Sequence, residues 1–172
     1  MESLLRQLTN EAYGLYLQGR IFDAAKIEEQ ALKLAEEVFG PNHPTAANIM
    51  NNLGLLFRHL GKYAEAESLM KRALGVWRKT FGSRHPEEAF LLNNLISLYS
   101  GLGRSADAKA LCKRALLLVT ETIKSDHPKA AALLVSLAVF CREVGKEAEA
   151  DKLEKRAKAI RSRGHSMKAS WI

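Results

Sequence analysis

The chain has 172 residues, 47% hydrophobic and 26% charged, with a formal net charge of +7, enough for one well-buried unit and too little for several large domains. Its composition is that of an ordinary soluble protein, and no apolar run reaches the ~20 residues of a membrane helix. The longest run, residues 130–141, is broken by Ser136 and reads as a buried helix. The opening MESLLRQLTNEAYG has no hydrophobic leader region or cleavage site, so no secretory signal is expected. Two cysteines, Cys112 and Cys141, make neither a disulfide framework nor a metal spacing. They read as reduced core thiols of a cytosol-like compartment, with a disulfide between them as the alternative.

Apolar periodicity predicts helices at 2–18, 22–38, 44–60, 63–80, 86–102, 105–123, 128–144 and 147–162. In the third, Met50, Leu53, Phe57 and Leu60 fall on one face of a 3.6-residue period. In the fourth, Ala66, Leu69, Ala73, Val76 and Trp77 form the inner face. Pro44, Pro86 and Pro128 suit the first turn of a helix, where an N–H has no partner to lose. Gly61, between the third and fourth helices, suits the left-handed end of a helix, and Gly40 and Gly82 stop the helices before them.

These signals recur at a fixed step of forty-two residues. Gly19, Gly61, Gly103 and Gly145 keep the step, as do Ala24, Ala66, Ala108 and Ala150, and Ala31, Ala73, Ala115 and Ala157. His-Pro recurs at 43–44, 85–86 and 127–128, and NNL at 51–53 and 93–95. A period of this size marks a stacked-repeat architecture, here of four helix–turn–helix copies. Small alanines at recurring positions let paired helices approach closely.

The stretch NNLGLLFRHLGKYAEAESLMKRAL (51–74) resembles a tetratricopeptide repeat, with Leu53-Gly54, Phe57, Gly61, Tyr63, Ala66 and Ala73 on its consensus positions. The forty-two-residue spacing, the FGxxHP connector and the NNL…KRAL wording are similar to the kinesin light chain subgroup. The resemblance covers about 1–162, although the 172 residues hold no heptad segment of the kind that precedes the repeats in a full kinesin light chain. It implies an all-α fold: a right-handed superhelical stack of four repeats, at about 1–39, 40–81, 82–123 and 124–162. A basic tail at 163–172 is expected to be flexible.

Copies 1 and 4 depart most, with Glu11 and Ala12 in place of Leu-Gly and Glu147 at the aromatic position. Where inner copies show Met70, Leu74 and Trp77, or Cys112, Leu116 and Val119, copy 4 has Glu154, Lys158 and Arg161. Leu53, Leu56 and Leu60 correspond in copy 1 to Glu11, Gly14 and Gln18. Terminal repeats need such polar outer faces, so a complete four-repeat stack is expected.

The resemblance also implies a concave surface lined by the first helix of each copy. Carried onto this chain, it comprises Thr9, Tyr13, Tyr16 and Leu17; Asn51, Asn52, Leu55, Arg58 and His59; Phe90, Asn93, Asn94, Ser97 and Ser100; and Val135, Val139 and Arg142. Asparagine amides both donate and accept, so a ladder of them can grip an extended peptide whatever its sequence, with aromatic and aliphatic neighbours supplying side-chain pockets. The competing reading is that the asparagines, Asn52 and Asn94 above all, only bond to neighbouring helices. Family members that bind chaperone tails clamp a carboxylate with Lys, Arg and Asn. Here the matching positions are Thr9, Tyr13, Asn52, Phe90 and Asn94, of which only Asn52 fits, so a carboxylate clamp is not expected.

No phosphate-binding loop, dinucleotide fingerprint or HExxH motif occurs, and no enzyme, cofactor or metal is expected. His43, His85 and His127 look like a metal trio. However, equivalent residues on stacked helices ~10 Å across cannot converge on one ion, so they read as helix-start residues. Glu65 and Glu67 read as a solvated face. Six of the seven excess charges, Lys155, Arg156, Lys158, Arg161, Arg163 and Lys168, lie in the last eighteen residues, which hold no acid. That pattern fits a solvated cap favoured by the helix dipole better than a nucleic-acid groove. The reading is a cytoplasmic, non-enzymatic adaptor or scaffold that binds a segment of another protein, with no membrane partner. The alternative is a self-associating scaffold; an anionic partner such as nucleic acid at the basic end ranks below both.

Overall fold

The computed structural model describes residues 2–83, 85–121 and 128–169; within these, the side chains of 86, 87, 120, 121, 128, 129 and 163–169 are left aside. The described residues form eight helices and no strands: α1 (Glu2–Leu17), α2 (Ile21–Phe39), α3 (Pro44–His59), α4 (Tyr63–Phe81), α5 (Pro86–Gly101), α6 (Ser105–Glu121), α7 (Pro128–Glu143) and α8 (Glu147–Ala169). They belong to two compact units, Met1–Ser83 and Arg84–Ile172. In the first unit α1 pairs with α2 and α3 with α4, and α2 packs on α3. In the second α5 pairs with α6 and α7 with α8, and α7 packs against both α5 and α6.

The recurring residues explain the pairing. Ala24, Ala66, Ala108 and Ala150 are fully buried, as are Ala31, Ala73 and Ala115, because helix axes approach where side chains are smallest. Gly54 goes further: a Cβ there would lie 2.9 Å from Met70 Cγ and 3.3 Å from the Ala66 carbonyl oxygen. Each pair turns at a glycine with φ between 70° and 75° (Gly19, Gly61, Gly103, Gly145), a conformation only glycine takes without strain. The next residue closes the turn by donating back to the first helix: Lys62 N to Phe57 O at 2.9 Å, and Arg104 N to Tyr99 O at 2.8 Å. That residue is basic in all four copies, and Lys62 and Arg104 also lie over the Phe57 and Tyr99 rings.

In copies 2 and 4 the arginine at the repeat step of KRAL (KRAK in copy 4) has a structural task. Arg72 on α4 pairs with Glu36 on α2 at 2.7 Å, and Arg156 on α8 donates to the Val119 carbonyl on α6 at 3.2 Å. Each links second helices of neighbouring copies within one unit. His43 caps α3, its Nδ1 accepting from Thr45 N at 3.2 Å, as expected of a helix-start residue. His85 directly precedes α5, and His127 lies outside the described residues.

Most helix ends fall within a residue or two of expectation, and one differs. The backbone of α8 continues to Ala169, through seven residues assigned to a flexible tail. Ser166 stands at the step where Gly40 and Gly82 end α2 and α4, and Gly164, two residues before it, lies within the helix without ending it. Residues 170–172, with Trp171 and Ile172, lie outside the described residues.

Candidate partner-binding faces

In the first unit, α1, α2 and α3 enclose an open cavity of about 290 Å³. Thr9, Tyr13, Tyr16, Asn52, Leu55, Arg58 and His59, all expected in a groove, do line it together. Tyr13 is 62% exposed and Tyr16 40%, so two large rings stand uncovered, and the Tyr16 and His59 rings lie 5.9 Å apart. Thr9 is spoken for, since its hydroxyl donates to the Leu5 and Arg6 carbonyls at 3.2 and 3.1 Å. Leu17 is exposed on α1, and Asn51 is half-buried on α3; neither lines the cavity.

One lining residue was not anticipated. Glu28 on α2 is only 4% exposed. Its Oε1 accepts from Asn52 Nδ2 at 3.4 Å, and its Oε2 has no partner. Burial pushes this carboxyl up from its usual 4.5 to about 7, with the Asn52 bond opposing the rise. A signal was present in the sequence: the same repeat step holds Met70 and Cys112 in copies 2 and 3. Copy 4 holds a half-exposed Glu154 there, so an acid at this step marks a buried charge only where, as for α2, a following first helix packs over it.

The second unit has a cavity of about 420 Å³ between α5 and α7, lined by Asn93, Ser97, Ser100 and Val139 among the expected residues. Ile96, Gly101, Ser136, Phe140 and Glu143 complete it, and Ser100 Oγ donates to Glu143 Oε2 at 2.6 Å. Phe90 and Asn94 on α5 and Val135 on α7 are half-buried and do not line this cavity.

Arg142 does not line the cavity either. Its guanidinium turns onto α8, pairing with Glu154, with Asp151 at 3.1 Å and with Glu147 at 3.5 Å. Three carboxylates one helical turn apart make a stronger claim on it than an open face does. These contacts raise the Arg142 pKa above its ordinary value and lower that of Glu154. Cys112 and Cys141 are both buried and free. Burial, together with the neighbouring Cys141, pushes the Cys112 thiol up to about 12, and burial also raises Cys141. Both are thus held as neutral core thiols.

A family model described as tetratricopeptide repeat matches residues 4–79, 45–110 and 87–163. No curated protein matches the chain. Among solved structures, BtubC (BKLC) from P. vanneervenii superimposes with a TM-score of 0.76 at 26% identity, over 93% of this chain and 64% of that one. This chain therefore spans less than two thirds of that protein. A Podosopora anserina kinesin-light-chain-type protein of nearly identical TPR-like repeats gives a TM-score of 0.76 at 23% identity, over 95% and 77%. MamA gives 0.60 at 15% identity, over 94% and 81%. The last two likenesses concern the fold alone.

Proposed function

Because the chain belongs to the tetratricopeptide repeat family, whose repeats generally mediate protein–protein interaction and scaffolding, we propose that it is a non-enzymatic adaptor. It holds an extended or helical segment of a partner protein on the first-helix faces of its units. The observation that carries this reading is the cavity of the first unit, where Tyr13, Tyr16, Leu55, Arg58 and His59 stand together on an open face. Exposed aromatic side chains beside polar groups are the usual makings of a peptide pocket. A cytoplasmic setting fits the two free thiols, and no helix among the described residues is long and apolar enough to cross a membrane.

Asn51 in the first unit and Asn93 in the second occupy the same repeat step, and a segment bound on either unit's first-helix face would take up to two hydrogen bonds from that unit's asparagine, each worth ~0.5–1.5 kcal/mol. The N51A/N93A double variant is expected to bind a captured partner segment roughly tenfold to a hundredfold more weakly by calorimetric titration, with little change in melting. R58E is expected to discriminate against acidic segments in particular. Normal binding by the double variant would remove the asparagines from the interface.

A further inference from the structure

At one step of the repeat the chain holds Glu28, Met70, Cys112 and Glu154. Met70 and Cys112 fill buried apolar positions, at 1% and 4% exposure. Glu154 is charged and half-exposed, with Arg142 upon it. Glu28 is as buried as the methionine and the cysteine, yet it carries a carboxyl whose Oε2 has no hydrogen-bond partner and which lies within 4 Å of no cation among the described residues. Arg58 lines the same cavity without pairing to it. A buried carboxyl left in this state costs stability, and an apolar side chain at this step would remove that cost, as Met70 does in copy 2.

We propose that the cavity of the first unit is a receptor for one long basic side chain, lysine or arginine, from the bound partner segment, with the Glu28 carboxylate as its counter-ion. The proposal rests on the peptide-binding reading above and adds the chemical class of the residue that anchors the segment. Tyr13, Tyr16 and Leu55 offer apolar and aromatic surface to the methylene stem, and ring faces attract a nearby cation. An acidic side chain would instead meet Glu28 as a like charge. The Asn52 amide is the present occupant of Oε1, through a long 3.4 Å bond from an exposed side chain, so a stronger donor displaces it by a side-chain rotation. The charged and titratable groups facing Glu28 are Tyr13 and Tyr16 from α1 and Arg58 and His59 from α3. The two basic ones disfavour a second cation, which limits the site to one.

The site is also linked to protons. Burial holds Glu28 near neutrality, at about 7, and a cation beside it brings the carboxyl down. Binding therefore releases a proton and tightens as the pH rises from 6 to 8.

The test is an NMR titration of the full chain with Nα-acetyl-lysine methylamide, using the norleucine and glutamate analogues as controls. The lysine probe is expected to shift the Tyr13, Tyr16 and Asn52 resonances. At pH 8 it should bind at least tenfold more tightly than the norleucine probe, and this advantage should shrink at pH 6. E28Q and E28M are both expected to lose the preference, and E28M, which installs the side chain of copy 2, controls for folding by dichroism. Equal binding of lysine and norleucine probes, or a lysine preference that survives E28Q, overturns the proposal. A captured segment that binds wild type and E28M equally leaves the peptide-binding reading standing and overturns only the basic anchor. A lysine preference at Glu28 without any segment binding on the N51A/N93A faces upholds the pocket and removes the reading beneath it.

Discussion

Helices α2 and α8 each carry a glutamate at the same step of the repeat, and the two residues lead opposite lives. Glu154 stands half in solvent with a guanidinium across it, and its pKa is drawn down. Glu28 is enclosed by α1 and α3 with one amide for company, and its pKa is driven up to about 7. Register alone therefore does not decide what an acid does in a repeat protein. What decides it is whether a neighbouring first helix covers the position and whether a cation has been supplied. For Glu154 the cation comes from within the same helix pair. For Glu28 no described residue of the unit supplies one within 4 Å.

The contrast is sharpest in pH. The folded-state pKa of Glu28 lies above its unfolded value, so the native chain keeps a proton that the unfolded chain has lost between pH 4.5 and 7. Stability must then fall as pH rises through that window. E28Q, which mimics the protonated form, is expected to match wild type near pH 5 and to exceed it by about 3 kcal/mol at pH 8, since each tenfold change in proton affinity is worth ~1.4 kcal/mol. Denaturant titrations at both pH values decide this, and parallel curves would erase the difference between the two acids.

Somewhat smaller, and a check on the frame in which the two glutamates are compared, is the effect of A66W or A108W. Both alanines are fully buried at a helix contact, and overfilling either is expected to cost ~1–3 kcal/mol or more. Unchanged melting would mean that the recurring alanines do not set the packing. E154Q should produce a lesser change of opposite sign to E28Q. The stabilisation from Glu154 is present above its unfolded pKa and disappears as pH falls through its lowered folded value, so the variant loses melting temperature at neutral pH and not in acid. The smallest effect is assigned to deleting residues 163–172, about 0.5 kcal/mol or less. Among the described side chains of α8, the buried ones, Ala150, Leu153, Ala157 and Ile160, all precede the cut. A large loss of melting temperature would show that the final stretch of α8 packs onto the second unit.

The helix pairs, their glycine turns and the alanine contacts were legible because each depends on local chemistry repeated four times. A wrong reading of Gly61 or Ala66 would have had to be wrong at every copy. The candidate faces were legible only in part. Residues 9, 13, 16, 52, 55, 58 and 59 do come together, but the direction in which Arg142 points depends on Glu147, Asp151 and Glu154 arriving from another helix. Periodicity within α7 contains no trace of that competition. Glu28 escaped notice because helical periodicity asks whether apolar residues recur, whereas its meaning lies in one polar residue that breaks the series of Met70 and Cys112. The end of α8 is later than expected because Gly164, beside the expected stop, lies within the helix and does not end it.

Both cysteines of this chain lie in the second unit, on facing helices, and neither is exposed. A thiol reacts with an alkylating reagent only as the thiolate and only when reached, so in the closed protein these two are shielded twice over. Modification by iodoacetamide thus counts the moments at which α6 and α7 part. Its rate, set against that of the unfolded chain, gives the free energy of opening for the second unit alone. The first unit, having no thiol, stays silent in that measurement. Native labelling followed by mass spectrometry can therefore time the breathing of one half of the molecule with no probe added.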